Sequence, residues 1–105
     1  MSKTSNHAVE IRLQNASSVD FDRVRVIFPD RNEENYGALA RGKFSAFRGT
    51  RRAYRYAEVH VIANGQDVSL HPMDYTGEQE LPPGRYTYVL RLEAGRLSID
   101  VQKAD

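Results

Sequence analysis

Apolar residues recur at every second position along most of this chain, and that alternation is the mark of strands with one buried face. Val9, Ile11 and Leu13 alternate with Glu10, Arg12 and Gln14. Val24, Val26 and Phe28 repeat the pattern, as do Val59 and Val61, Val68 and Leu70, Leu90 and Leu92, and Leu97, Ile99 and Val101. With Leu39, these residues form the expected core. No segment shows a helical period with caps.

Turn residues punctuate the pattern. Asn15-Ala-Ser-Ser18 predicts a turn, Pro29 ends the second strand, and Asp30 to Asn35 reads as a polar loop. Apolar parity changes between Phe21 and Val24, which predicts a bulge near Asp22-Arg23. Gly37, Gly42 and Gly49 leave room only for short strands, at about 36–40 and 43–48. Asn64-Gly65 is the strongest hairpin signal, because a type I′ turn needs positive φ at both centres. A two-residue loop there sets Val61 opposite Val68 and Val59 opposite Leu70, with Glu58 opposite His71 and His60 opposite Ser69 on the outer face. A connection over 72–84 leads to a last hairpin around Ala94-Gly95, in which Leu92 meets Leu97, Leu90 meets Ile99, Tyr88 meets Val101 and Glu93 meets Arg96. Tyr75, Tyr86 and Tyr88 are expected at the rim of the core with their hydroxyls in water.

Seven to eight short strands with turns between them predict an all-β, immunoglobulin-like antiparallel β-sandwich. It forms one domain over 1–105, with an ordered core over about 8–103.

The ordered set Asn35-Tyr36-Gly37-Ala38-Leu39, Gly42-Lys43-Phe44-Ser45, Ala53-Tyr54-Arg55-Tyr56-Ala57, Pro72-Met73-Asp74-Tyr75-Thr76-Gly77-Glu78 and Leu81-Pro82-Pro83-Gly84-Arg85-Tyr86-Thr87-Tyr88 resembles a group of small uncharacterised bacterial β-sandwich proteins, often secreted or lipoprotein-type. The resemblance covers roughly residues 9–102 and implies a fold without an assigned activity. This chain lacks the lipidation cysteine of such proteins.

Composition excludes several chemistries. The chain has no cysteine, hence no disulfide, thiolate metal site or cysteine nucleophile. No apolar run approaches the ~20 residues of a membrane-spanning helix. Met1 to His7 lacks the apolar core of a signal peptide. A complete chain is thus expected in the cytoplasm, and one whose leader was removed in the periplasm or outside the cell. There is no glycine-rich phosphate loop and no serine elbow.

The net charge of +1 conceals an uneven distribution. Residues 41–56 hold Arg41, Lys43, Arg48, Arg51, Arg52 and Arg55 and no acid, a local charge of +6, with Phe44, Phe47, Tyr54 and Tyr56 interleaved. Basic groups hold phosphates or carboxylates, and aromatic rings stack bases or sugars. The competing account is an ordinary connecting segment, its arginines neutralised by Asp74, Glu78 and Glu80.

Three further constellations have plainer structural roles beside their chemical ones. Glu58, His60 and His71 offer donors for a divalent metal, but an exposed sheet face is expected to lack a second shell, so a surface ion pair is preferred and no metal ligand is assigned. Asp30-Arg31-Asn32-Glu33-Glu34-Asn35 echoes a calcium loop without its glycine and distal glutamate, and reads as a solvated loop. Asp74 and Tyr75 near His71 suggest acid–base chemistry, with turn formation the simpler role for Asp74.

These features point to a non-catalytic binding or interaction module without a cofactor, contacting a protein or anionic ligand through Arg48, Arg51, Arg52, Tyr54, Arg55 and Tyr56. Single-stranded nucleic acid or an anionic glycan on the same surface is the alternative, and a metal-dependent enzyme the remote one. Strand edges offer a route to homo-oligomers.

Overall fold

A computed structural model describes residues 9–29, 32–71 and 79–104. Eight strands form: β1 (Val9–Asn15), β2 (Phe21–Ile27), β3 (Glu33–Leu39), β4 (Arg48–Thr50), β5 (Glu58–Ala63), β6 (Gln66–Leu70), β7 (Gly84–Glu93) and β8 (Arg96–Lys103). They make two four-stranded sheets, ordered β4-β1-β7-β8 and β3-β2-β5-β6. The inward residues of both sheets meet in one buried cluster that includes Ile11, Leu13, Val24, Val26, Val59, Val61, Tyr88 and Leu90.

The registers follow from period two and the turns. Val59 pairs with Leu70 and Val61 with Val68. Leu90 pairs with Ile99 and Leu92 with Leu97. Both two-residue turns hold positive φ throughout, at Asn64 (53°) and Gly65 (75°) and at Ala94 (51°) and Gly95 (77°), the conformation a type I′ turn requires. Irregularity in the β2–β3 register falls between Phe21 and Arg25, around the expected bulge.

Three expectations are corrected. The sandwich is not wholly antiparallel: β1 runs parallel to β7, from Val9 beside Gly84 to Asn15 beside Leu90. Period two is the same for either direction, so alternation cannot distinguish them. The polar 33–35 segment lies in β3 rather than a loop, and β4 is only three residues long. Residues 42–45 nevertheless continue along the free edge of β1: Gly42 N donates to Asn15 O (2.6 Å), Asn15 N to Lys43 O (3.0 Å) and Ser45 N to Leu13 O (2.8 Å). Finally, Tyr86 and Tyr88 are buried rather than at the rim with hydroxyls in water: Tyr86 donates to the Pro82 carbonyl at 2.7 Å and Tyr88 to the Tyr54 carbonyl at 2.6 Å, while Tyr75 lies outside the described residues.

The expected core is buried or packed against the buried cluster throughout. Val68, Leu70, Ile99 and Val101 are only partly buried, because β6 and β8 are edge strands, and Leu92 is partly buried near the end of β7. Phe21, Tyr36, Ala53, Ala57, Ala63, Tyr86 and Tyr88 join them.

Candidate functional site

The basic window 41–56 is spread over an edge segment, β4 and a connection. It leaves β3, follows the β1 edge, forms β4 and then crosses to β5, and its side chains part company on the way. Arg48 lies on β4, an edge strand of its sheet. Its guanidinium sits 5.5 Å from the Tyr36 ring and 3.3 Å from Glu34. Tyr36 is buried, and its hydroxyl donates to the Ile11 carbonyl across the sandwich at 2.9 Å. Burial raises the Tyr36 pKa, nearby Glu34 adds to this, and Arg48 opposes it. Arg48 is therefore engaged in closing the side of the sandwich.

The 51–57 connection is anchored by two alanines. Ala53 and Ala57 are fully buried, and the Ala53 carbonyl accepts from Leu81 N at 2.8 Å. Small side chains let the backbone cross close to the core while Arg51, Arg52 and Arg55 remain exposed. Arg52 pairs with Glu80 at 3.3 Å. The acids of the 74–80 stretch thus take at least one arginine, while Asp74, Tyr75 and Glu78 lie outside the described residues. Arg51 has no ion pair among the described residues. Tyr54 and Tyr56 are half-buried.

The aromatic part of the window turns onto the outer face of the β4-β1-β7-β8 sheet. There Arg12 lies between two rings, 4.1 Å from the centroid of Phe44 and 5.1 Å from that of Phe47. Arg85 approaches Phe47 at 5.0 Å and donates to Glu10 at 2.8 Å. Arg12 Nε also donates to the Thr87 hydroxyl at 2.9 Å. Phe44 is 48% exposed, the one exposed large hydrophobic side chain among the described residues. Each such stack contributes about 0.5–1 kcal/mol at an exposed site. Sequence reasoning missed Arg12 and Arg85. Alternation puts Arg12 on the outer face of β1, but the residues beside it come from a distant segment.

On the outer face of the other sheet, the expected register brings Glu58, His60 and His71 together. His60 Nε2 lies 2.6 Å from Glu58 Oε2, and His71 Nδ1 lies 3.4 Å from the same oxygen. The imidazoles meet edge-on with centroids 5.3 Å apart. Ser69 Oγ is 3.0 Å from His71 Nε2. The supposed lack of a supporting shell is thus corrected for His71, because its immediate neighbour on the same face of β6 supplies one.

The calcium-like segment is dispersed among ion pairs. Glu33 takes Arg25 at 3.0 Å and Glu34 takes Arg48, while Asp30 and Arg31 lie outside the described residues. A cleft of about 420 Å³ opens between the two hairpin turns, bordered by Ser18, Asn64, Gln66 and Glu93. Among the described residues Glu93 is its sole ionisable lining residue, too little for paired acid–base chemistry.

No protein-family model and no curated protein matches this chain. Among solved structures, the NMR structure of a protein from Eubacterium rectale is similar in fold, with a TM-score of 0.65 at 15% identity, covering 92% of this chain and 90% of that one. No helix among the described residues is long and apolar enough to cross a membrane.

Proposed function

We propose that this protein is a non-catalytic interaction module, a sandwich of the immunoglobulin-like class related to the small bacterial proteins it resembles, which engages an anionic segment of a protein partner. The observation that carries this reading is the Phe44–Arg12–Phe47–Arg85 stack on the outer face of the β4-β1-β7-β8 sheet. It holds cations and rings in a fixed arrangement before a ligand arrives, which lowers the ordering cost of binding. Aromatic and arginine side chains are also the groups that dominate binding energy at interfaces. Arg51, exposed on the β4–β5 connection, adds positive charge to the module. Arg48, Arg52 and Arg85, engaged by Glu34, Glu80 and Glu10, contribute less charge.

Fluorescence anisotropy with a labelled oligo-aspartate peptide tests the reading. Binding is expected to weaken as salt rises, and to weaken again in Phe44→Ala and Arg51→Ala. Tighter binding to oligo(dT), lost in the Arg51→Ala, Arg52→Ala double variant, replaces it with the nucleic-acid reading. A preference for a heparin fragment replaces it with the glycan reading. Failure of all three probes to bind at low salt overturns an anion-binding role.

A further inference from the structure

We infer that Glu58, His60 and His71 form a binding site for a divalent transition metal of the zinc class. Two imidazoles and a carboxylate are borderline ligands suited to zinc, and three protein ligands leave a coordination position open. Their donor atoms all lie within 4.8 Å of one another. Tetrahedral zinc with bonds near 2.1 Å sets its ligand atoms about 3.4 Å apart. The His71 Nδ1 to Glu58 Oε2 separation of 3.4 Å already has that spacing. His60 Nε2, at 2.6 Å from Glu58, is held by the carboxylate as it would be in a hydrogen bond, and a metal that replaces that proton draws the two atoms apart to the ligand spacing.

Two surrounding features favour a ligand set over a chance cluster. Ser69 contacts Nε2 of His71, which leaves Nδ1, the nitrogen facing Glu58, as the ligating atom. Arg25, which faces His60 from β2, would repel a cation, but its charge is taken up by Glu33 at 3.0 Å. One hairpin supplies all three ligands, Glu58 and His60 from β5 and His71 from the position just after β6. Their spacing is fixed by the type I′ turn at Asn64-Gly65 and by the ladder in which His60 opposes Ser69. The site is open: the His71 side chain is 59% exposed, and His60 lines a groove of about 340 Å³ on the same sheet face.

Titration calorimetry of the full chain with zinc chloride, followed in parallel by the histidine side-chain NMR signals, tests the site. One equivalent of zinc is expected, shifting His60 and His71 but not His7, and raising the melting temperature until chelator is added. His60→Ala and His71→Ala each abolish the one-to-one binding. Ser69→Ala weakens it about tenfold, as loss of a group orienting a metal-bound imidazole does. Glu58→Gln retains the fold and weakens binding, because a neutral amide is a poor ligand for zinc. Absence of heat and of NMR shifts up to about 1 mM zinc overturns the assignment. So does one-to-one binding that survives the His60→Ala, His71→Ala double variant.

Discussion

The Asn15 side-chain amide donates to the Leu39 carbonyl at 3.0 Å, so a buried polar group ties the end of β1 to the end of β3 in the opposite sheet. The same amide donates to Val19 O at 2.8 Å, and its oxygen accepts from Ser17 N at 2.9 Å. Asn15 is fully buried. Asn15→Ala removes three bonds and strands their backbone partners, at a cost of about 2–4 kcal/mol. Urea denaturation should show a lowered midpoint with an unchanged slope. A loss below about 0.5 kcal/mol would mean that water replaces the amide.

Asn15 also shows how far the sequence carries. Its polarity and the serines after it place a turn there correctly, but nothing in that signature distinguishes a surface asparagine from one clamped between sheets. Local patterns behave differently. Alternation and the Asn64-Gly65 turn specify the β5–β6 register, and through it the meeting of Glu58 with His71. What stays hidden is nonlocal. The parallel neighbour of β1, the approach of Arg85 to Phe47, and the burial of Tyr36 and Tyr88 depend on how distant segments pack. A tyrosine reads alike at the rim and in the core until its hydroxyl finds a carbonyl.

The second hairpin carries a correctable strain. Ala94 holds φ at 51°, a left-handed conformation that costs a Cβ-bearing residue about 1 kcal/mol and that asparagine tolerates better. Ala94→Asn recreates the Asn-Gly pair of the first hairpin and should stabilise the protein by about 0.5–1 kcal/mol. A thermal melt that shifts upward by a few degrees confirms it. A downward shift would show that Ala94 makes contacts the turn depends on.

Ala53 determines how the basic connection meets the core. It is fully buried, with its carbonyl bonded to Leu81. Ala53→Leu adds three carbons where there is no space, and should destabilise by about 1–3 kcal/mol. Neighbouring Arg52→Ala, which removes only a half-exposed ion pair with Glu80, should cost less than about 0.5 kcal/mol. Chemical denaturation of the two variants side by side checks the contrast, and equal losses would contradict the view that this segment is held by its alanines.

Tyr36 supplies a pH signature. Burial raises its pKa, so the folded protein holds the phenolic proton more tightly than the unfolded chain, which releases it near pH 10. Below that pH both states bind the proton and the full stabilising effect of the buried hydroxyl is present. Above it the unfolded state binds fewer protons, so stability falls as pH rises, by up to about 1.4 kcal/mol per unit from this group alone. The fall continues until the folded protein also ionises. Tyr36→Phe removes the titration together with the bond to Ile11 O. At neutral pH the variant should be less stable by about 1 kcal/mol. That difference should shrink, then reverse, as pH rises past about 10. Guanidinium unfolding of both proteins at a series of alkaline pH values measures it. A difference that stays constant into strong alkali would mean that the Tyr36 hydroxyl ionises as readily in the folded protein as in the unfolded chain.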